Sequence, residues 1–147
     1  MANIYNDDNW SLVTASNGAH NIVIRCRSRL PAEPDREIFK FVVQISWPYG
    51  PTDTGHPDDA TRSEIEAFED IFLEPLASKL CAVEVASITG NDQRDWLFHT
   101  YDPREFSLEF NAILRDRPKY PISMECYEDE DWATLSRLLP SQGRTGR

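Results

Sequence analysis

Residues Ala82 to Phe106 read "AVEVASITGNDQRDWLFHTYDPREF". Ala82 to Thr89 alternates as a strand, the "GNDQ" of Gly90 to Gln93 is a tight turn, and Arg94 to Tyr101 returns as a second strand. "DPRE" then opens a helix, with Asp102 as N-cap, Pro103 as first helical residue and Glu105 closing a capping box. A hairpin that runs straight into a helix is the middle of a βαββαβ unit, so the flanks decide whether the unit is complete.

Upstream, Thr61 and Glu64 form an S/T-x-x-E box that starts a helix. Ile65, Phe68, Phe72 and Leu76 follow at helical spacing with Ile71 beside them. Pro75 predicts a bend near Phe72, or a fresh turn running to Leu80. Before this helix lie the Pro/Gly loop Pro48 to Asp59 and the strand Phe39 to Trp47, which is dense in aromatic and β-branched residues. Downstream, Phe106, Phe110, Ile113 and Leu114 make the buried stripe of the second helix, and "RPKYP" stops it. Pro121 to Tyr127 is the last strand, and Asp131 or Thr134 starts a short helix ending at Pro140.

At the N-terminus, Trp10 to Ala15 and Asn21 to Arg27 flank the turn "SNG" and read as a further hairpin, followed by the loop "LPAEPDRE". The expected fold is α+β: a ferredoxin-like βαββαβ antiparallel sheet with two helices on one face. The N-terminal hairpin extends it at an edge, and a short C-terminal helix closes the chain. Residues 1–140 are expected as one domain and 141–147 as a flexible tail.

The 147 residues carry 15 Lys and Arg against 25 Asp and Glu, a net charge of −10. A phosphate backbone is repelled by that balance, so no direct nucleic-acid partner is expected. A basic protein partner would be attracted by it. Cys26, Cys81 and Cys126 are far apart, odd in number and set in apolar runs, which reads as buried, reduced thiols of a cytoplasmic protein. The polar, acidic "MANIYNDDNW" is no signal peptide, and no apolar run approaches the roughly 20 residues of a membrane span.

The four consecutive acids Glu128, Asp129, Glu130 and Asp131 lack the alternate spacing and turn glycine of a calcium loop. They read as a helix start, with Asp131 or a neighbour as cap, and also as an acidic contact face for a basic partner. Trp132, Leu135, Leu138 and Leu139 have the spacing of a helix pinned to the core. His20, His56 and His99 share no metal-ligand spacing. His99 with Asp102 or Asp95 has the residue types of a catalytic dyad, but a histidine satisfied by a neighbour within the sheet is the stronger reading. Trp47 and Trp96 line either the core or an interface on the sheet face that the helices leave partly solvated.

The run "AVEVASITGNDQRDWLFHTYDPREFSLEF", followed by "PKYPISMECYEDEDWATLSRLLP", resembles a bacterial family known as a domain of unknown function, number six-nine-five. The matching features are Trp10, Ile88-Thr89-Gly90, Arg94, Asp102-Pro103, Phe106, Asp131-Trp132 and Leu139-Pro140, in family order from about Trp10 to Pro140. Where the family carries a tyrosine pair or Tyr-Thr, this chain has Phe98-His99-Thr100-Tyr101. The family is similar in fold to the B-type regulator of ribonuclease E activity, a small acidic protein that binds and inhibits its enzyme. The resemblance therefore implies a non-enzymatic, regulatory or protein-interaction domain without cofactor or metal. For such a domain the residues themselves offer Glu128, Asp129, Glu130, Asp131, Trp132, Trp96 and Trp47 as the expected contacts, read from the acidic run and the tryptophans and not from the resemblance. Two other readings stand beside it. One is a small-molecule enzyme with a pocket beside residues 48–59, worked by His56, His99 and nearby acids. The other is an immunity-type protein that binds a basic toxin.

Overall fold

The structure, a computed structural model, describes residues 5, 9–18, 20–79 and 81–139. Leu80, Pro140 and the tail expected over 141–147 lie outside the described residues. The strands are β1 (Trp10–Asn17), β2 (His20–Arg27), β3 (Phe41–Pro48), β4 (Ala82–Gly90), β5 (Gln93–Thr100) and β6 (Ser123–Glu128). The helices are α1 (Glu33–Ile38), α2 (Asp59–Ala77), α3 (Pro103–Leu114) and α4 (Ala133–Leu138). One open sheet runs β1-β2-β4-β5-β3-β6, and every neighbouring pair is antiparallel. The fold is mixed α and β, as expected, on a six-stranded sheet that the N-terminal hairpin has widened. No described helix is long and apolar enough to cross a membrane.

The β4–β5 hairpin closes through Asn91 and Asp92, both at positive φ (55° and 70°), the two-residue turn that matches strand twist. Gly90, at φ 143°, leaves no room for a side chain, since a Cβ there would stand 3.0 Å from the Asn21 carbonyl oxygen.

The α2 stripe is buried as the spacing predicts, and of the α3 stripe Phe106 and Phe110 are buried while Ile113 and Leu114 are only partly so. Ile65, Phe68, Phe72 and Leu76 of α2, with Phe106 and Phe110 of α3, pack on Val43, Ile45, Trp47, Trp96 and Phe98. The opposite face, expected to be partly solvated, is covered instead. Val42, Val83, Val85 and Leu97 of the sheet pack with Phe39, Trp132 and Leu135 in a second core. Apolar residues at successive positions of β3 (Val42, Val43) make both faces of the sheet hydrophobic, and α4 supplies the second cover.

Several boundaries differ from expectation. The loop expected at residues 30–37 contains α1, which has a proline in its first turn and no buried residue. Asp58, not Thr61, caps α2: its carboxylate accepts the Thr61 N–H at 2.8 Å. Pro75 lies in the last turn of α2, where it cannot bond the Ile71 carbonyl, and the helix stops two residues later at Ala77. Asp102 caps α3 by accepting from Arg104 and Glu105 N–H. Its own N–H donates to the Thr100 hydroxyl (3.2 Å), the place the capping box assigns to the Glu105 carboxylate.

Candidate functional site

The acidic run sits where β6 ends and turns into α4. Asp129 N–H donates to the Lys40 carbonyl (2.6 Å), and Trp132 N–H donates to the Asp129 carbonyl (3.0 Å). Trp132 takes a left-handed conformation, φ 56°. That turn swings the Asp129 carboxylate under α4, where it accepts the Ala133 and Thr134 N–H groups at 2.9 and 3.1 Å. Asp129 therefore supplies the capping carboxylate, four positions ahead of Ala133, the first residue of the helix, while Trp132 holds the N-cap position.

Glu128, Glu130 and Asp131 remain exposed. Glu130 and Asp131 share a cleft of about 260 Å³ with Glu33, Glu37, Arg36 and Leu30 from the α1 region. Its lining holds four carboxylates and one guanidinium, and that guanidinium is turned to the Pro31 carbonyl (2.7 Å). Lys40 lies 3.6 Å from Glu128. The Glu130 carboxyl is pushed above its ordinary range, first by its hydrogen bond with Glu128 and then by that neighbour's charge. The cleft gathers like charge from two separate segments of the chain. Its α1 wall was missed from sequence, where only the acidic first turn of "EPDREI" hints at a helix.

The three expected contact tryptophans are not on this surface. Trp132 and Trp96 are fully buried and Trp47 is 5% exposed. The indole N–H groups of Trp132 and Trp96 are satisfied inside, on the Arg36 carbonyl (3.2 Å) and the Glu69 carboxylate (2.6 Å). Cys26 and Cys81 are buried as expected, but Cys126 is exposed because β6 is an edge strand, exposed along its whole length.

The histidine dyad does not form. His99 is fully buried and its Nδ1–H donates to the Phe39 carbonyl (2.7 Å). Asp95 is held by Ser46 and Gln93, and Asp102 by the start of α3. His56 Nε2 lies 2.8 Å from the Asn21 carbonyl oxygen, which fixes it as the donor there. Among the described residues no three His, Cys, Asp or Glu side chains are grouped to hold a metal.

A hollow of about 470 Å³ lies beside the start of the 48–59 loop, lined by Trp47, Tyr49, Phe68, Tyr120, Glu64 and Lys119 among others. Neither histidine lines it. The Tyr49 hydroxyl donates to the Gly55 carbonyl (2.7 Å), and burial, then the Asp92 charge, pushes its pKa up to about 12. Tyr49 thus stays protonated at neutral pH and shapes the wall rather than moving protons.

Residues 8–139 match the model of a family of unknown function (DUF695). No curated protein and no solved structure matches the chain.

Proposed function

This chain belongs to the DUF695 family of unknown function, and we propose that it is a non-enzymatic, cytoplasmic protein-interaction domain that captures a basic partner through its acidic cleft. The observation that carries this reading is the convergence of Glu33 and Glu37 with Glu130 and Asp131 on one cleft, from segments about a hundred residues apart. The net charge of −10 favours the same class of partner by speeding its approach. A basic toxin neutralised by an immunity-type protein is one form of that partnership. We further read the four strands ordered β4-β5-β3-β6, with α2 and α3 as the two crossovers, as a ferredoxin-like βαββαβ unit to which β1 and β2 add.

The test is capture from a native lysate on the immobilised protein, eluted across a salt gradient, beside the variant Glu128→Gln/Glu130→Gln/Asp131→Asn. Asp129 is spared because it caps α4. A stoichiometric basic protein released by moderate salt and absent from the variant supports the reading. Retention that high salt and the variant leave unchanged refutes it.

The aromatic hollow favours a second reading, a small planar ligand held against Trp47 and Tyr120. Ligand-observed NMR with aromatic fragments checks it: binding lost in Tyr120→Ala supports the hollow as a site, and no binding removes it.

A further inference from the structure

β6 stands at the sheet edge, paired with β3 on one side and with no described strand on the other. All six of its residues are exposed, and the hydrogen bond between the Tyr127 hydroxyl and the Thr134 hydroxyl of α4 (3.0 Å) leaves its outer backbone edge open. The register fixes which backbone groups are unused. Asp129 opposite Lys40 is a bonded pair, so Tyr127, Glu125 and Ser123 also turn their N–H and C=O toward β3. Met124, Cys126 and Glu128 alternate with them and direct theirs away from the sheet. Side chains follow the same alternation: Met124, Cys126 and Glu128 lie on the face of Ile45, Val43 and Phe41, and Ser123, Glu125 and Tyr127 on the other.

Sheet edges are usually blunted by proline, lysine, a bulge or a covering loop. β6 has no proline or lysine, and its pairing with β3 runs without a register shift. Its charges are Glu125 and Glu128, continued by the exposed Glu130 and Asp131. An edge so marked repels a second copy of itself, because antiparallel self-pairing sets carboxylates near carboxylates. It favours a strand that carries cations. The opposite edge, β1, is uncharged over its whole length ("WSLVTASN") and offers no such selection.

We infer that β6 is a docking edge on which a basic, extended segment of another protein adds as a further antiparallel or parallel strand. Backbone groups of Met124, Cys126 and Glu128 supply the hydrogen bonds, Met124 and Tyr127 the apolar contact, and Glu125 and Glu128 the choice of cationic side chains. This rests on the basic-partner reading above and adds to it how the partner is held.

The experiment is an NMR titration of the labelled protein with a synthetic peptide that alternates Lys or Arg with Val. A second peptide is identical but N-methylated on alternate residues, so that it keeps its charge and loses the donors for one edge. The expected result is that the first peptide shifts and protects the amides of Met124, Cys126 and Glu128, and that the methylated one binds at least about tenfold more weakly. Cys126→Pro removes an outward N–H while sparing the bonds to β3, and is expected to weaken the first peptide comparably with little change in melting temperature. Equal binding of both peptides, with shifts confined to Glu33, Glu37, Glu130 and Asp131, overturns strand addition and leaves the acidic cleft standing. Absence of binding by either at low salt overturns both. Equal binding of a Glu-for-Lys peptide overturns the basic partner, and concentration-dependent dimerisation through β6 without peptide assigns the edge to a second copy.

Discussion

The imidazole of His99 lies flat on the indole of Trp132, with ring centroids 3.5 Å apart and planes 4° apart. Both rings donate to carbonyls at the end of one short segment, His99 to Phe39 and Trp132 to Arg36. The stack therefore ties β5, the α1 segment and the entry to α4 into one unit. Because Nδ1 carries the proton, Nε2 is a bare acceptor, and it is buried without a hydrogen-bond partner among the described residues.

Such a histidine resists protonation. Burial is the main cause, and it lowers the pKa from 6.5 to about 4 against the opposing effects of the Phe39 hydrogen bond and the Asp129 charge. The unfolded chain thus takes up this proton first. Stability linked to His99 is whole above pH 6.5 and is lost as the pH falls toward 4, an effect on the order of 3 kcal/mol over the full range. In urea titrations at a series of pH values, His99→Asn, which retains an N–H for the Phe39 carbonyl, is expected to show a flatter decline between those limits than the unchanged protein. Parallel declines would assign the acid sensitivity to the carboxylates alone.

The four acids separate by role. Asp129→Ala removes the acceptor for two α4 N–H groups and is expected to cost about 1 kcal/mol. Asp131→Ala, exposed and outside the cap, is expected to stay within about 0.5 kcal/mol of the unchanged protein. Chemical denaturation of the two variants side by side decides it, and a larger loss for Asp131→Ala than for Asp129→Ala would return the cap to Asp131.

What was legible in the sequence was what is locally encoded. Asn-Asp between two strands and Asp-Pro before an apolar stripe act over a few residues, and both were found where expected. α1 escaped because it buries no side chain and so leaves no apolar period to read. The alternation of β3 and β5 put Trp47 and Trp96 on one face, but which face the helices cover is a property of the whole sheet, and it turned both indoles inward. The identity of the α4 cap depended on Trp132 adopting positive φ, rare for a residue with a bulky side chain, so the acid nearest the helix was the natural choice and Asp129 was the actual one. The acidic cleft needed α1 and was invisible for the same reason.

Glu69 of α2 joins helix to sheet through two donors. Its Oε2 accepts the Trp96 indole N–H at 2.6 Å and pairs with the Arg94 guanidinium, which also donates to the Thr89 hydroxyl (2.7 Å). Both members of the ion pair are largely buried. Glu69→Ala strands the indole N–H and part of the guanidinium, with an expected loss of about 3 kcal/mol. Glu69→Gln keeps one acceptor and is expected to lose less, and the two midpoints in urea with tryptophan fluorescence as probe measure the difference. An alanine variant as stable as the glutamine one would mean that solvent satisfies both donors.

Asp92 fastens the 48–59 loop to the β4–β5 turn. Its carbonyl accepts the Tyr49 and Gly50 N–H groups (2.9 and 3.2 Å), its N–H donates to the Gly55 carbonyl (3.0 Å), and its carboxylate accepts the Thr52 N–H (3.0 Å). Asp92 also sits at φ 70°, so alanine there adds backbone strain to the lost Thr52 bond, whereas asparagine tolerates the conformation and keeps an acceptor. The expected order of stability is Asp92→Asn, then Asp92→Gly, then Asp92→Ala, spread over about 2 kcal/mol. Gly50 tests the same junction from the other side, since a Cβ built there would stand 2.2 Å from that of Asp92. Gly50→Ala alone should therefore be severely destabilising, and its cost should fall when Asp92 is also glycine, a coupling that a double-mutant cycle reads directly. Additive losses would show that the loop yields without Asp92 moving, and that Tyr49, the wall of the aromatic hollow, is held by its own hydroxyl bond to Gly55 rather than by the turn.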